Sequence, residues 1–274
     1  MTAVDTAPAR RAGRGSALSD TLVVTWRNLK RIPRIPELAA FAVLQSVMFV
    51  LLFAYVFGGA IAVADGSYRE FLMPGIFAQT LAFASATTTI GITDDMQKGL
   101  VDRFRSLPMV RSAFLTGRTF ADVGYNAGIL VVLMLSGLLV GWRVRDGIGE
   151  FLLGFALALL FAYAMSWLGV FVGQLVPTVE VAQQVAFTVV FPITFLSNAF
   201  VPLESLPGWL QPFAEWNPVS TLTHALRDLF GNPVGNPGDG FPAEHPILLT
   251  VLWAIAFTVV FAPLAVRRYR DTSK

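Results

Sequence analysis

Few side chains in this 274-residue chain could do chemistry, and their inventory excludes more than it offers. There is no cysteine, which rules out disulfides, thiolate catalysis and thiolate-held metal. His224 and His245 are the only histidines, and neither has carboxylates or further ligands at the spacing of a zinc site. Three lysines occur (Lys30, Lys98 and Lys274), and none follows a glycine. The G-x-x-x-x-G-K-[ST] loop that cradles nucleotide phosphates is therefore missing. An acid–base site at a membrane face would need clustered Asp, His, Ser or Lys, and only Asp94-Asp95 approaches one.

What remains is a charged segment running from Lys98 to Met109, set between two long apolar runs. Thr93 followed by Asp94 and Asp95 reads as a helix N-cap with two anions in the first turn, where the helix dipole favours them. Met96 stands where a full capping box would place Glu or Gln. Met96, Leu100, Phe104 and Leu107 then recur at helical spacing, and Pro108 ends the pattern by pushing its predecessor out of the α region. This predicts a short amphipathic helix. It is either a loop whose basic residues set topology or a docking knob for a soluble protein.

The elements that position this segment belong to a membrane. The chain is 55% hydrophobic and 14% charged, against about 25% charged in soluble domains. Its mean hydropathy of +0.63 fits a bilayer as solvent. Six stretches have the roughly 20 apolar residues that a spanning helix needs: 37–59, 71–92, 119–141, 150–175, 179–200 and 247–266. Pro36, Gly58-Gly59, Pro177 and Pro246 punctuate them. The fourth and fifth lie so close that they should form a tight hairpin.

With the N-terminus inside, sixteen of the twenty Lys and Arg fall on the inner side. Arg69, Arg143, Arg145 and Arg227 fall outside, so both termini are expected in the cytoplasm. No apolar run of signal-peptide length precedes the first span, which should itself act as the uncleaved targeting element. Residues 1–16 read as a disordered arm. Residues 17–34 read as an amphipathic interfacial helix: Leu18, Leu22, Trp26 and Leu29 fall within about 80° of one face, with Arg27, Lys30 and Arg31 opposite. Trp26 and Arg27 are the expected interfacial anchors.

Polar residues inside the spans include Gln45, Gln79, Thr87, Asn126, Gln183, Gln184 and Asn198. Each has an ordinary explanation in interhelical hydrogen bonding. As a set they point to the second and fifth spans as the lining of a path, with Gln79, Thr87, Gln183, Gln184 and Asn198 as candidates. Phe41, Phe49, Phe77 and Phe83 could offer aromatic surface to a planar amphiphile. The glycine pairs 137/141 and 169/173 allow close helix approach, expected within one subunit. Pro192 should kink the fifth span. Ionisable groups are essentially absent from the span interiors, with Asp94, Asp95 and Glu180 near the ends, which weighs against a proton-coupled antiporter.

The run KGLVDRFRSLPMVR (98–111) resembles the cytoplasmic coupling segment of ABC-2-type exporter permeases of the daunorubicin/doxorubicin-resistance type. SNAFVPLESLPGWLQPFAEWNPVSTLTHALRDL (197–229) is similar to that family's segment between its fifth and sixth spans. YVFGGA (55–60), Leu72-Met73-Pro74-Gly75-Ile76 and FAPLAVRRYR (261–270) add shorter matches in the same order.

The resemblance implies an all-α membrane domain (35–274) of six transmembrane helices. It adds a cytoplasmic coupling helix and an extracellular re-entrant segment between helices 5 and 6. It implies a permease without catalytic residues, binding no cofactor or metal, that exports hydrophobic or amphiphilic compounds. ATP and Mg would be handled by a separate ATP-binding cassette subunit. The contact to that subunit would run through Asp94, Asp95, Lys98, Asp102, Arg103, Phe104, Arg105, Ser106, Leu107 and Pro108. A second permease copy, identical or related, and membrane lipid are the other implied partners, in the cell membrane. Lipid or glycolipid export by the same machinery, or an integral-membrane lipid-modifying enzyme, are the alternatives.

Overall fold

The computed structural model describes residues 17–31, 44–45, 47–57, 67–99, 111–233, 238 and 240–271. Every regular element among them is helical. The α-helices are α1 (Ala17–Arg31), α2 (Tyr68–Gln97), α3 (Arg111–Val140), α4 (Ile148–Gly173), α5 (Val179–Phe195), α6 (Gln211–Trp216), α7 (Pro218–Phe230), α8 (Phe241–Glu244) and α9 (Pro246–Asp271). An apolar helix, Val47–Val56, overlaps a π-helical turn at Phe53–Phe57. A 3₁₀ turn covers Leu203–Ser205.

Four of these, α2, α3, α4 and α9, are long and apolar enough to cross a bilayer. α5 and Val47–Val56 are shorter apolar helices lying within the fifth and first predicted spans. α5 starts at Thr178, whose hydroxyl accepts from the Val181 amide at 3.3 Å. It stops at Phe195, short of residue 200, because the chain turns at 196–200 and Ser197 hydrogen-bonds back to Thr194.

The largest departure from expectation is at Thr93. It does not begin a helix. α2 runs unbroken through Thr93, Asp94 and Asp95 to Gln97, some 45 Å at 1.5 Å per residue. The reason lies in α4. The hydroxyls of Thr89 and Thr93 each donate to the carbonyl four residues back in α2 and also to α4, at Gly169 (3.2 Å) and Gly173 (2.9 Å). These two glycines let the helices touch: a Cβ on Gly169 would collide with the Ser85 carbonyl oxygen, and one on Gly173 would lie 2.7 Å from that of Thr89. Lipid offers no hydrophobic drive between helices, so such close contacts and shared hydroxyls supply the cohesion. The other pair divides. Gly137 packs on Met73 of α2, whereas Gly141 (φ +102°) is the left-handed stop after α3.

α2 is thereby the central helix. About 72% of its apolar stretch is buried inside the protein, against 17% for α9, which faces outward. α1 packs across the first turns of α3, where Gly117 and Gly124 make room for Val24 and Leu29, and Thr25 donates to the Gly117 carbonyl at 3.1 Å. Leu22, Val23 and Trp26 stay exposed on the outward side of α1. Its apolar stripe is thus split between protein and surroundings, with Leu29 turned inward.

At the end of the bundle where α3 stops, Phe77, Trp142 and Phe230 pack edge to face. Trp142 Nε1 donates to Asn232 Oδ1 at 2.7 Å, and Arg145 reaches the buried Glu70 carboxylate at 2.7 Å. These bonds fasten 142–145 and 230–232 over the end of α2.

Candidate functional site

A cavity of about 400 Å³ opens between α2, α3, α5 and the Val47–Val56 segment. Phe49, Phe83, Tyr125, Phe187, Phe191 and Phe195 supply aromatic walls. Gln45, Gln79, Thr80, Thr87 and Asn126 supply neutral polar groups, and no charged residue lines it among the described residues. Helical spacing explains why these positions meet: Ile76, Gln79, Thr80, Phe83 and Thr87 recur every three or four residues along one face of α2. Phe187, Phe191 and Phe195 do the same on α5, with the last two rings stacked at 4.2 Å.

The amides of Gln79 and Asn126 are the informative feature. Both residues are buried, yet neither side chain makes a hydrogen bond among the described residues. Neither amide is sealed in the core as Asn198 Oδ1 is; both open into the cavity. Protein interiors keep such groups where a guest or water completes them. The chemistry on offer is aromatic stacking plus neutral hydrogen bonding, without an ionic partner.

The predicted path residues separate. Gln79 and Thr87 line the cavity. Gln183 and Gln184 lie on the exposed side of α5, where Gln184 reaches only Thr188, at 3.4 Å. Asn198 is buried in the turn after α5: its backbone amide donates to Ser220 Oγ, and its carbonyl accepts from Arg227. Of the aromatic candidates, Phe49 and Phe83 line the cavity, Phe77 is in the core against Trp142, and Phe41 lies outside the described residues.

Of the predicted contact segment, Asp94, Asp95 and Lys98 are described, while Asp102, Arg103, Phe104, Arg105, Ser106, Leu107 and Pro108 lie outside the described residues. Asp94 and Lys98 form an exposed pair at 2.7 Å, one turn apart. Asp95 turns inward to Arg118 on α3, at 2.6 Å. Arg118 also reaches Asp122 at 3.3 Å, and Thr88 donates to the other Asp122 oxygen at 2.8 Å. Gly91 leaves the space for the guanidinium, since a Cβ there would overlap Nη2.

Asp122 joins the ionisable groups near the span ends that the sequence reading named: it lies three residues inside the predicted third span and is locked between two helices. Trp26 and Arg27 both stand on the exposed side of α1, with the Lys30 ammonium 4.9 Å from the Trp26 ring centre.

Two further charged residues carry structure that sequence reasoning missed. Arg227 on α7 is fully buried, although its formal charge placed it among the outer loop residues. His224, one turn before it, is held neutral down to about pH 4 by burial and by the Arg227 charge. Its Nε2 stands 3.6 Å from Asp228 without forming an ion pair in that state. A cation inside the apolar pattern of residues 219–230 was the available signal.

Residues 19–230 match the model of the family described as ABC-2 type transporter. Over 261 residues the chain is 31% identical to the daunorubicin resistance ABC transporter permease protein DrrB1 of Streptomyces coeruleorubidus, covering 95% of this chain and 89% of that one. It is 27% identical over 276 residues to the probable doxorubicin resistance ABC transporter permease protein DrrC of Mycobacterium tuberculosis, covering 98% and 96%. A putative transport permease of Cyanophora paradoxa, ycf38, is 23% identical over 219 residues, covering 78% and 75%.

Proposed function

The chain belongs to the ABC-2 type transporter family, and we propose that it is the membrane-spanning permease of an ATP-driven exporter for flat, hydrophobic or amphiphilic compounds. The observation that carries the substrate class is the uncharged cavity with its stacked phenylalanines and the unpaired Gln79 and Asn126 amides. A planar ring system that carries hydroxyl or carbonyl groups would stack on the walls and satisfy both amides. The names of the relatives, which refer to daunorubicin and doxorubicin resistance, agree with that chemistry.

Energy enters from a separate ATP-binding cassette subunit, because this chain has no phosphate-binding loop. The chain crosses the membrane six times, with Val47–Val56 and α5 within the first and fifth spans and both termini in the cytoplasm. In that topology Lys98 and the segment after it face the cytoplasm and dock into the ATP-binding subunit. A second permease copy completes the transporter, and Trp26 with Arg27 seats α1 in the headgroup layer. Two covered carboxylates towards this end, the buried Asp95 and the half-buried Asp122, are both held by Arg118, which disfavours their use as catalytic acids or proton carriers.

Capture of the chain from its own membranes tests this reading. It should bring down a polypeptide with a Walker motif, and Asp102→Ala or Arg105→Ala should uncouple that partner's ATP hydrolysis from export while insertion stays intact. Capture without such a partner, or normal export by both variants, would contradict it.

A further inference from the structure

Arg227 is a buried cation without a counter-ion. It has no exposed surface, and no carboxylate lies within ion-pair distance of it among the described residues. Its guanidinium instead covers the Phe71 ring, 3.5 Å from the ring centre, and donates through Nε to the Phe71 carbonyl at 3.0 Å. Nη2 donates to the carbonyls of Asn198 (3.0 Å) and Ala199 (3.3 Å). Nη1 is buried with no partner among the described residues, and so is Oδ1 of Asn198.

The place of these contacts gives them meaning. Phe71 is in the first turn of α2, and Asn198 and Ala199 follow closely on the end of α5. The two backbones also touch without help: a Cβ on Gly75 would collide with the Ala199 carbonyl. Tyr68 adds a hydrogen bond to the Phe200 carbonyl at 3.1 Å. One to two turns further along α2 come Ile76 and Gln79, and α5 ends at Phe195, all of which line the cavity. Arg227 therefore joins the two cavity walls at one end by holding backbone of both.

Taking a guanidinium out of water is costly, and its three bonds to carbonyls of both walls, with the ring contact, offset that cost only while the walls are held together. Opening this end to water would return full hydration to the charge. Closed and open arrangements are thereby brought near balance, as a contact that must break in each transport cycle requires. We infer that Arg227 is the latch that closes the α2–α5 cavity at the end opposite Lys98, and that it releases when cargo leaves. This rests on the reading of the cavity as the export path.

The absence of cysteine makes the test direct. A Thr80→Cys reporter in the cavity is expressed with the ATP-binding subunit in intact cells and treated from outside with a membrane-impermeant maleimide, with and without daunorubicin. In the otherwise unchanged chain labelling should be slow. Arg227→Met should raise the rate by about tenfold or more, because it leaves the Phe71, Asn198 and Ala199 carbonyls without the donor that holds them together. Gly75→Ala, which wedges α2 from Ala199, should raise it in the same direction. Arg227→Lys, which keeps the charge but loses the fork, should fall between.

If Arg227→Met is not recovered in the membrane, Gly75→Ala decides. Unchanged labelling in the recovered variants overturns the latch. Protection of the Thr80→Cys thiol by daunorubicin in inverted vesicles reports on the path separately. Protection with unchanged outside labelling would retain the path and sink the latch, whereas absence of protection would sink the path.

Discussion

Arg118 on α3 donates from Nη1 to the Asp95 carboxylate on α2 at 2.6 Å, so the two helices that enter and leave the segment around residues 100–110 are tied at its base. The pair is nearly buried, with the two side chains 14% and 8% exposed. On the proposed mechanism, a push on that segment moves α2 and α3 together rather than bending their junction.

The first prediction follows from this pair. Arg118→Met removes the guanidinium that bridges the buried Asp95 and the half-buried Asp122 and should destabilise the chain by roughly 3 kcal/mol, at the low end for broken buried pairs. Arg118→Met combined with Asp95→Asn and Asp122→Asn should recover part of that loss. Thermal unfolding of the purified permease in detergent reads both. Equal loss in single and triple variants would show that the pair contributes packing alone.

A second prediction concerns the α2–α4 contact. Gly169→Ala drives a methyl into the Ser85 carbonyl oxygen and should cost about 1–3 kcal/mol as overpacking. Gly128→Ala, on α3 with nothing within 4 Å, should be neutral or stabilising by about 0.5–1 kcal/mol through helix propensity. Comparable melting shifts for the two would refute the close packing of α2 on α4.

The cavity amides make a third. Gln79→Leu and Asn126→Leu remove polar groups that open into the cavity, so each should change stability by less than about 1 kcal/mol while reducing export of a hydrogen-bonding aromatic drug. Gln183→Leu and Gln184→Leu, on the exposed side of α5, should leave export near normal. Dye or drug efflux from cells, measured beside melting temperature, separates the two sets. A loss of export confined to the α5 pair would move the path.

Acid should act on α7 in two opposing ways. His224 takes its proton only near pH 4 in the folded protein, against 6.5 ordinarily, so its share of stability is lost as pH falls from 6.5 towards 4. Burial pushes the Asp228 carboxyl up to about 6, opposed by Arg227, so the folded state binds this proton first and gains stability as pH falls through 6. His224→Gln should therefore make the chain relatively more acid-stable, and Asp228→Asn relatively less. Melting temperatures between pH 7 and 4 check the signs, and identical slopes would show that neither group titrates as its surroundings dictate.

Much of the fold was legible in the sequence. Apolar length located the long helices α2, α3, α4 and α9, and Pro177 marked the boundary just before α5. Thr93 misled because Thr-Asp-Asp is a sound local cap. What overrides it is non-local: the α4 carbonyls that take the threonine hydroxyls and the arginine that takes Asp95 are 80 and 23 residues away in sequence.

The cavity was half legible for a similar reason. α2 is apolar on all sides, so periodicity does not say which of its polar residues meet a void. Gln79 and Gln183 look alike in sequence and differ only in what packs beside them. Arg227 was hidden because its partners are backbone carbonyls, which no residue type announces.

The central claim is tested most directly in sealed proteoliposomes holding this permease and the ATP-binding subunit captured with it. Accumulation of daunorubicin is followed with ATP supplied on the side of the ATP-binding subunit. Uptake should require both chains and ATP and should fall sharply with Gln79→Leu or Asn126→Leu. Uptake driven by a proton gradient without the ATP-binding subunit, or unchanged in both cavity variants, would contradict it.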